Sequence, residues 1–223
     1  MIELTHPAIH QITPAAWKKL LDGCNKPGTF FGRIDRLAKQ IAKVPEGNPN
    51  AFYHQSGQKG SSKFKGDVFE IICGEGLIKV CRDDRINIYD YQVVSENDTG
   101  VDGFGITKDR FPTAVQLKYA PWDSNIIHTK KRLDNFDLTA RNRYHVDTQI
   151  FPGRMLVITS AKQMSWRTIA RYGGSMRCIS RDASYGCLKG APHGKTVDNL
   201  FSLKTLLDDH LIFWDEVRKQ VGV

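Results

Sequence analysis

Residues 100–119 read Gly100-Val101-Asp102-Gly103-Phe104-Gly105-Ile106, then a turn from Thr107 to Pro112, then Thr113-Ala114-Val115-Gln116-Leu117-Lys118-Tyr119. Both flanks are rich in β-branched and aromatic residues, which predicts two short strands, Val101 to Ile106 and Thr113 to Tyr119, joined as a hairpin. Such a hairpin sets Asp102 beside Gln116, and the period of two puts Gln116 and Lys118 on one face of their strand. The three side chains are therefore expected to converge. A carboxylate and an amide oxygen can hold a hard divalent cation with water at the other positions, while an ammonium group beside them can orient an attacking water. A charged pair at a sheet edge has the same spacing and is commoner, so spacing alone leaves both readings open.

Working upstream, Gly66 to about Val80 predicts a helix with Asp67 near its N-terminus, where the macrodipole favours a carboxylate, and with Gly74 and Gly76 weakening its second half. From Arg85 onward Ile86, Ile88, Tyr89, Tyr91, Val93 and Val94 predict a strand, and Glu96-Asn97-Asp98-Thr99-Gly100 a turn. The order is one helix followed by a three-stranded meander. Downstream, Leu133, Phe136, Leu138 and Ala140 mark helical turns between Lys130-Lys131-Arg132 and Arg141-Asn142-Arg143. Met155 to Thr159 is an apolar run typical of a buried strand. Ser165 to Tyr172 predicts a helix stopped by Gly173-Gly174, and Met176 to Ser180 another strand, a sequence that implies a parallel crossover. Val197 to Val221 predicts an amphipathic helix packing through Leu200, Leu203, Leu206, Leu207, Leu211 and Val217.

The first sixty residues read as short helices. Thr13-Pro14 is an N-cap with proline at the first helical position, and Phe31 to Val44 places Ile34, Leu37, Ile41 and Val44 on one face. Ser56-Gly57-Gln58-Lys59-Gly60-Ser61-Ser62 reads as a polar connection. The predicted organisation is a helical region over 1–60, serving DNA binding or dimerisation, and a main domain over 61–223.

With these elements in order, the chain resembles the PD-(D/E)xK nuclease superfamily, and within it the Mrr-type restriction endonucleases. The resemblance rests on Gly66-Asp67-Val68-Phe69-Glu70, Gly100-Val101-Asp102-Gly103, Val115-Gln116-Leu117-Lys118 and the later crossover, and it covers roughly Gly66 to Ser180. It implies an α/β fold with a restriction-endonuclease-like core: a central mixed sheet flanked by helices, preceded here by the small helical region. It further implies that Asp102 is the metal-binding aspartate, Lys118 the catalytic lysine and Glu70 the helix carboxylate supporting the metal. Gln116 stands where most of the superfamily has an acidic residue, though Mrr-type members often carry Q-x-K. The implied Mg²⁺ site, with Mn²⁺ as substitute, is then Asp102, Gln116, Glu70 and the Leu117 backbone carbonyl. The implied activity is metal-dependent endodeoxyribonuclease hydrolysis. The alternative is a DNA-binding protein on a nuclease fold that has lost effective hydrolysis, with Gln116 as its symptom.

Charge agrees with a polyanionic partner. Across 223 residues, 32 Lys and Arg against 24 Asp and Glu give a net charge of +8. Lys130, Lys131, Arg132, Arg141, Arg143, Arg167 and Arg171 are the candidate phosphate contacts, each equally readable as part of a solvated helix face. His128 and His145 receive no catalytic role, Glu96 and Asp98 read as turn residues, and the four tryptophans read as packing. Five scattered cysteines without zinc-ligand spacing predict reduced structural thiols. The absence of an apolar run of membrane length and of a signal-like start predicts no membrane partner and a cytoplasmic enzyme of a bacterium or phage-infected cell. Cutting both strands with one site per chain calls for a homodimer or two successive nicks.

Overall fold

The computed structural model describes residues 4–22, 27–41, 58–94, 100–120, 130–146, 155–163, 176–185, 197–198 and 202–223. Within them a mixed sheet runs in the order β1-β2-β3-β4-β5-β6-β7: Tyr89–Val93, Gly103–Ile106, Pro112–Lys118, Met155–Thr159, Arg177–Ile179, Ser184–Tyr185 and Val197–Asp198. Strands β1, β2 and β3 form an antiparallel meander, β3, β4 and β5 are parallel, and β6 and β7 return antiparallel. The helices are α1 (Pro14–Leu21), α2 (Pro27–Ile41), α3 (Gln58–Glu70), α4 (Lys130–Tyr144), α5 (Leu203–Asp209) and α6 (Leu211–Val221). No described helix is long and apolar enough to cross a membrane.

The α/β architecture follows from local signals. Thr13 caps α1 by accepting the Ala16 N–H, with Pro14 first in the helix. The hairpin turn between β2 and β3 closes through Thr107 N–H to Phe111 O at 2.9 Å and Arg110 N–H to Thr107 O at 2.8 Å. Alternation along β3 and β4 then sorts their side chains to two faces. Val115, Leu117, Leu156 and Ile158 join an apolar cluster with Leu4, Trp17, Leu20, Phe31, Ile34 and Phe69. Ala114, Met155 and Val157 join a second one with Leu133, Phe136 and Ala140 of α4. The sheet is thus covered on one face by the N-terminal helices and α3, and on the other by α4.

Several expectations are corrected. The stretch expected as a connection is helical from Gln58 onward, so position 60 lies within α3, and the N-terminal helices share one core with the sheet. Asp67 accordingly sits in the third turn, ion-paired with Lys63 one turn back at 3.2 Å, rather than at the helix start. The first strand begins at Tyr89, not Arg85. Asp83 accepts the Arg85 N–H at 2.7 Å and its carbonyl accepts the Ile86 N–H, which holds that segment as a turn. Leu138 is exposed, because spacings of three and seven from Leu133 bring Phe136 and Ala140, not Leu138, onto the buried stripe. Val197 and Asp198 pair with β6, and the C-terminal helical pattern is two helices, α5 opening on Ser202 as N-cap. The helix expected at Ser165 to Tyr172 lies outside the described residues.

Beyond Glu70 the chain continues α3 as a π-helix over Ile71–Val80, whose wider turns end in a bond from Cys81 N–H to Gly76 O at 3.0 Å. Such widened turns recur at functional sites. Gly74 lies close against the sheet: an added Cβ would stand 2.7 Å from the Tyr91 hydroxyl and 3.1 Å from Leu117 Cδ1. Gly103, on β2, flanks the same ring from the other side, and a Cβ there would fall on the hydroxyl and ring of Tyr91. The two glycines leave a slot that the phenol occupies.

Candidate functional site

Regular β2 pairing begins at Gly103, opposite Val115. The Leu117 N–H, two residues further along β3, donates instead to Asp102 Oδ2 at 2.6 Å. Asp102 is therefore set at the rim of the sheet by the end of the hairpin, with its carboxyl against the backbone of β3. In a strand the N–H and C=O of one residue point to the same side, so the Leu117 carbonyl faces the Asp102 side as well.

Glu70 reaches this point from the junction of α3 with its π-widened continuation. Burial first, and then the negative charge of Glu70, hold the Asp102 carboxyl well above the usual carboxylate range. The Leu117 N–H and Lys118 pull it back down. Glu70 and Lys118 are thus each within electrostatic reach of Asp102. Gln116 is 2% exposed, donates from its amide nitrogen to Gly100 O at 2.8 Å, and has a buried Oε1 that accepts no hydrogen bond from the described residues. An orphaned amide oxygen costs stability unless something meets it.

Two residues at the site carried no sequence signal. His6 is buried and places Nε2 3.2 Å from Glu70 Oε2. Tyr91, read only as a strand residue, is 4% exposed, and its phenol is held protonated by burial and by the negative charges of Asp102, Glu70 and Glu75. The tyrosine fell on a legible β pattern, but nothing in a linear reading ties His6 to a carboxylate 64 residues away.

The donor types fit a hard divalent cation. Two carboxylates that repel each other are what such an ion neutralises, and Gln116 Oε1, on the Ala114 face of β3, is a further oxygen without a partner among the described residues. Among the described residues no three of His, Cys, Asp and Glu gather into a metal-binding group.

The basic residues divide. Arg141, in the last turn of α4, is ion-paired with Asp137 at 3.0 Å, and Arg143 is exposed beside it. Lys130, Lys131 and Arg132 open α4, and their side chains lie outside the described set, as do Arg167 and Arg171 altogether. His145 is exposed, while His128, Glu96 and Asp98 fall outside the described residues. Trp17 is buried as packing. Cys73 and Cys178 are buried free thiols, and burial pushes their pKa up and holds them protonated.

No protein-family model matches this chain, and neither does any curated protein or solved structure.

Proposed function

We propose that the protein is a metal-dependent endodeoxyribonuclease with a restriction-endonuclease-like core, acting through Asp102, Glu70, Gln116 and Lys118. The observation that carries this reading is the Asp102 carboxylate fixed on the Leu117 amide at 2.6 Å, with Glu70 and Lys118 in electrostatic reach. The helix, three-stranded meander, crossover and parallel strand that lead to and from it supply the scaffold.

A divalent ion held by Asp102, Gln116 Oε1, Glu70 and the Leu117 carbonyl would polarise a phosphate oxygen and make bound water more acidic. The chain's own groups do the rest. Lys118 is in electrostatic reach of Asp102, and its ammonium group would orient a water for in-line attack and stabilise charge gathering on the phosphate. Tyr91, kept as a neutral phenol, fills the slot between Gly74 and Gly103 and excludes solvent there. Arg141 and Arg143 contact phosphates without choosing sequence, and Lys130, Lys131, Arg132, Arg167 and Arg171 belong to the same proposed surface. A pair of chains would cut both strands.

Incubating supercoiled plasmid with the protein and Mg²⁺ or Mn²⁺, beside an EDTA control, tests this reading. Metal-dependent nicking that Lys118→Ala abolishes is the expected result, and nicking at the parental rate by that variant overturns the assignment. One observation favours a second reading, a DNA-binding protein without hydrolysis: the neutral Gln116 at a position that would otherwise add a third carboxylate. That reading predicts retention of DNA on a gel with no nicking at any metal concentration.

A further inference from the structure

We infer that His6 is a positioning residue for Glu70: its imidazole holds one carboxylate oxygen and so fixes the rotation of the carboxyl group that the metal-dependent reading assigns as a ligand. This inference rests on the metal-dependent reading above.

The ring's tautomer follows from its hydrogen bonds. Nδ1 accepts the Ala8 N–H at 3.1 Å, so the ring proton of this imidazole is on Nε2. That N–H faces Glu70 Oε2 at 3.2 Å. Oε2 is thereby occupied as an acceptor, and the carboxylate loses freedom to rotate. Outer hydrogen bonds of this kind orient ligating carboxylates and raise metal affinity.

The segment that delivers His6 is anchored at each residue. Leu4 N–H donates to Gln220 Oε1 of α6 at 2.8 Å. Thr5 donates from its N–H to Glu75 Oε2 at 2.6 Å and from its hydroxyl to Glu75 Oε1 at 3.0 Å. Glu75 is fully buried and lies about one turn beyond Glu70 on the π-widened helix. Residues 4–6 therefore run along the helix that carries Glu70, tied to it by two consecutive side-chain contacts. The ring is thus fixed on the Glu70 carboxylate from a segment anchored at Leu4 and Thr5, which restrains the orientation of that carboxylate.

His6 also has a plain structural task, since it caps the short 3₁₀ helix Pro7–His10. Two substitutions separate the roles. His6→Asn keeps a short acceptor for the Ala8 N–H and removes the donor to Glu70. His6→Gln reaches Glu70 with an amide N–H and gives up the cap. Calorimetric titration of the full chain with Mn²⁺, beside thermal unfolding without metal, reads both. The expected result is Mn²⁺ affinity lower by about tenfold in His6→Asn at an unchanged melting temperature. His6→Gln should bind Mn²⁺ like the parent but melt earlier. In a Glu70→Gln background His6→Asn should cost no further affinity. Parental affinity in His6→Asn, an equal loss in His6→Gln, or an undiminished loss in the Glu70→Gln background overturns the positioning role alone. A parent protein that neither binds Mn²⁺ nor nicks DNA overturns the metal-dependent reading and this inference with it.

Discussion

The N–H of Leu117 donates to Asp102 Oδ2 at 2.6 Å, so a side chain, not a strand carbonyl, takes that donor where β2 and β3 part. Asp102→Asn keeps an oxygen for that N–H while removing the charge. Cleavage should fall at least roughly a hundredfold. Because the raised carboxylate is costly to ionise beside Glu70, the variant should melt no lower than the parent without metal at neutral pH. Mn²⁺ should raise the melting temperature of the parent and not of the variant. Plasmid nicking together with thermal melts with and without Mn²⁺ checks all three.

Gln116 donates to Gly100 O at 2.8 Å, and its Oε1 is the buried orphan. Gln116→Glu replaces the donor with a second oxygen and sets it against the Gly100 carbonyl. Without metal the variant should lose about 1–3 kcal/mol. Its third carboxylate should in turn gain more from Mn²⁺ than the parent does. Denaturant melts across a Mn²⁺ series measure this, and equal metal stabilisation of the two proteins would remove Gln116 from the ligand set.

The Tyr91 ring lies against Gly103 with no room for a methyl group. Gly103→Ala should therefore destabilise the fold by about 1–3 kcal/mol through overpacking. Combining it with Tyr91→Ala should cost less than the sum of the two single changes, because the smaller residue vacates the slot. A double-mutant cycle by denaturant unfolding tests the coupling.

Asp83 joins the turn before β1 to the C-terminal helices: Arg85 Nη2 lies 2.6 Å from it, His210 Nε2 2.7 Å, and Arg85 reaches on to Asp209 at 2.7 Å. Burial pushes the Asp83 carboxyl up, but the hydrogen bonds from Arg85 and His210 outweigh it and hold the group at about 2. A carboxylate lowered on folding adds stability that is full above its unfolded value of about 4 and is lost as pH falls through the folded value. The parent should lose stability between about pH 4 and pH 2, and Asp83→Asn should show less of that slope while being about 2 kcal/mol weaker at neutral pH. Chemical unfolding across that pH range decides it.

Much of the frame was legible because its signals are local. Thr13-Pro14, the turn at Thr107, the alternating strands Gly103–Ile106 and Pro112–Lys118, and the apolar run Met155–Thr159 each declare themselves within a few residues. The misread elements have local patterns that tertiary contacts overrode. Ser56 to Ser62 looked like a linker, yet from Gln58 the chain is already helical ahead of Phe64 and Phe69, which the core buries completely. Gly74 reads as weakening the second half of its helix, which is π-widened there, and it is also the clearance that Tyr91 requires.

By itself, the order of residues determined the meander, the parallel crossover and the pairing of Asp102 with the Gln116-Leu117-Lys118 strand, since hairpin register and a period of two are properties of neighbours in the chain. Only the folded molecule decided that Glu70 shares a charge field with Asp102, that Tyr91 threads between Gly74 and Gly103, and that His6 bears on Glu70. Those relationships join segments tens of residues apart, and they arise when apolar faces of separate elements close on one core. Linear spacing carries no record of which polar groups that closure brings together.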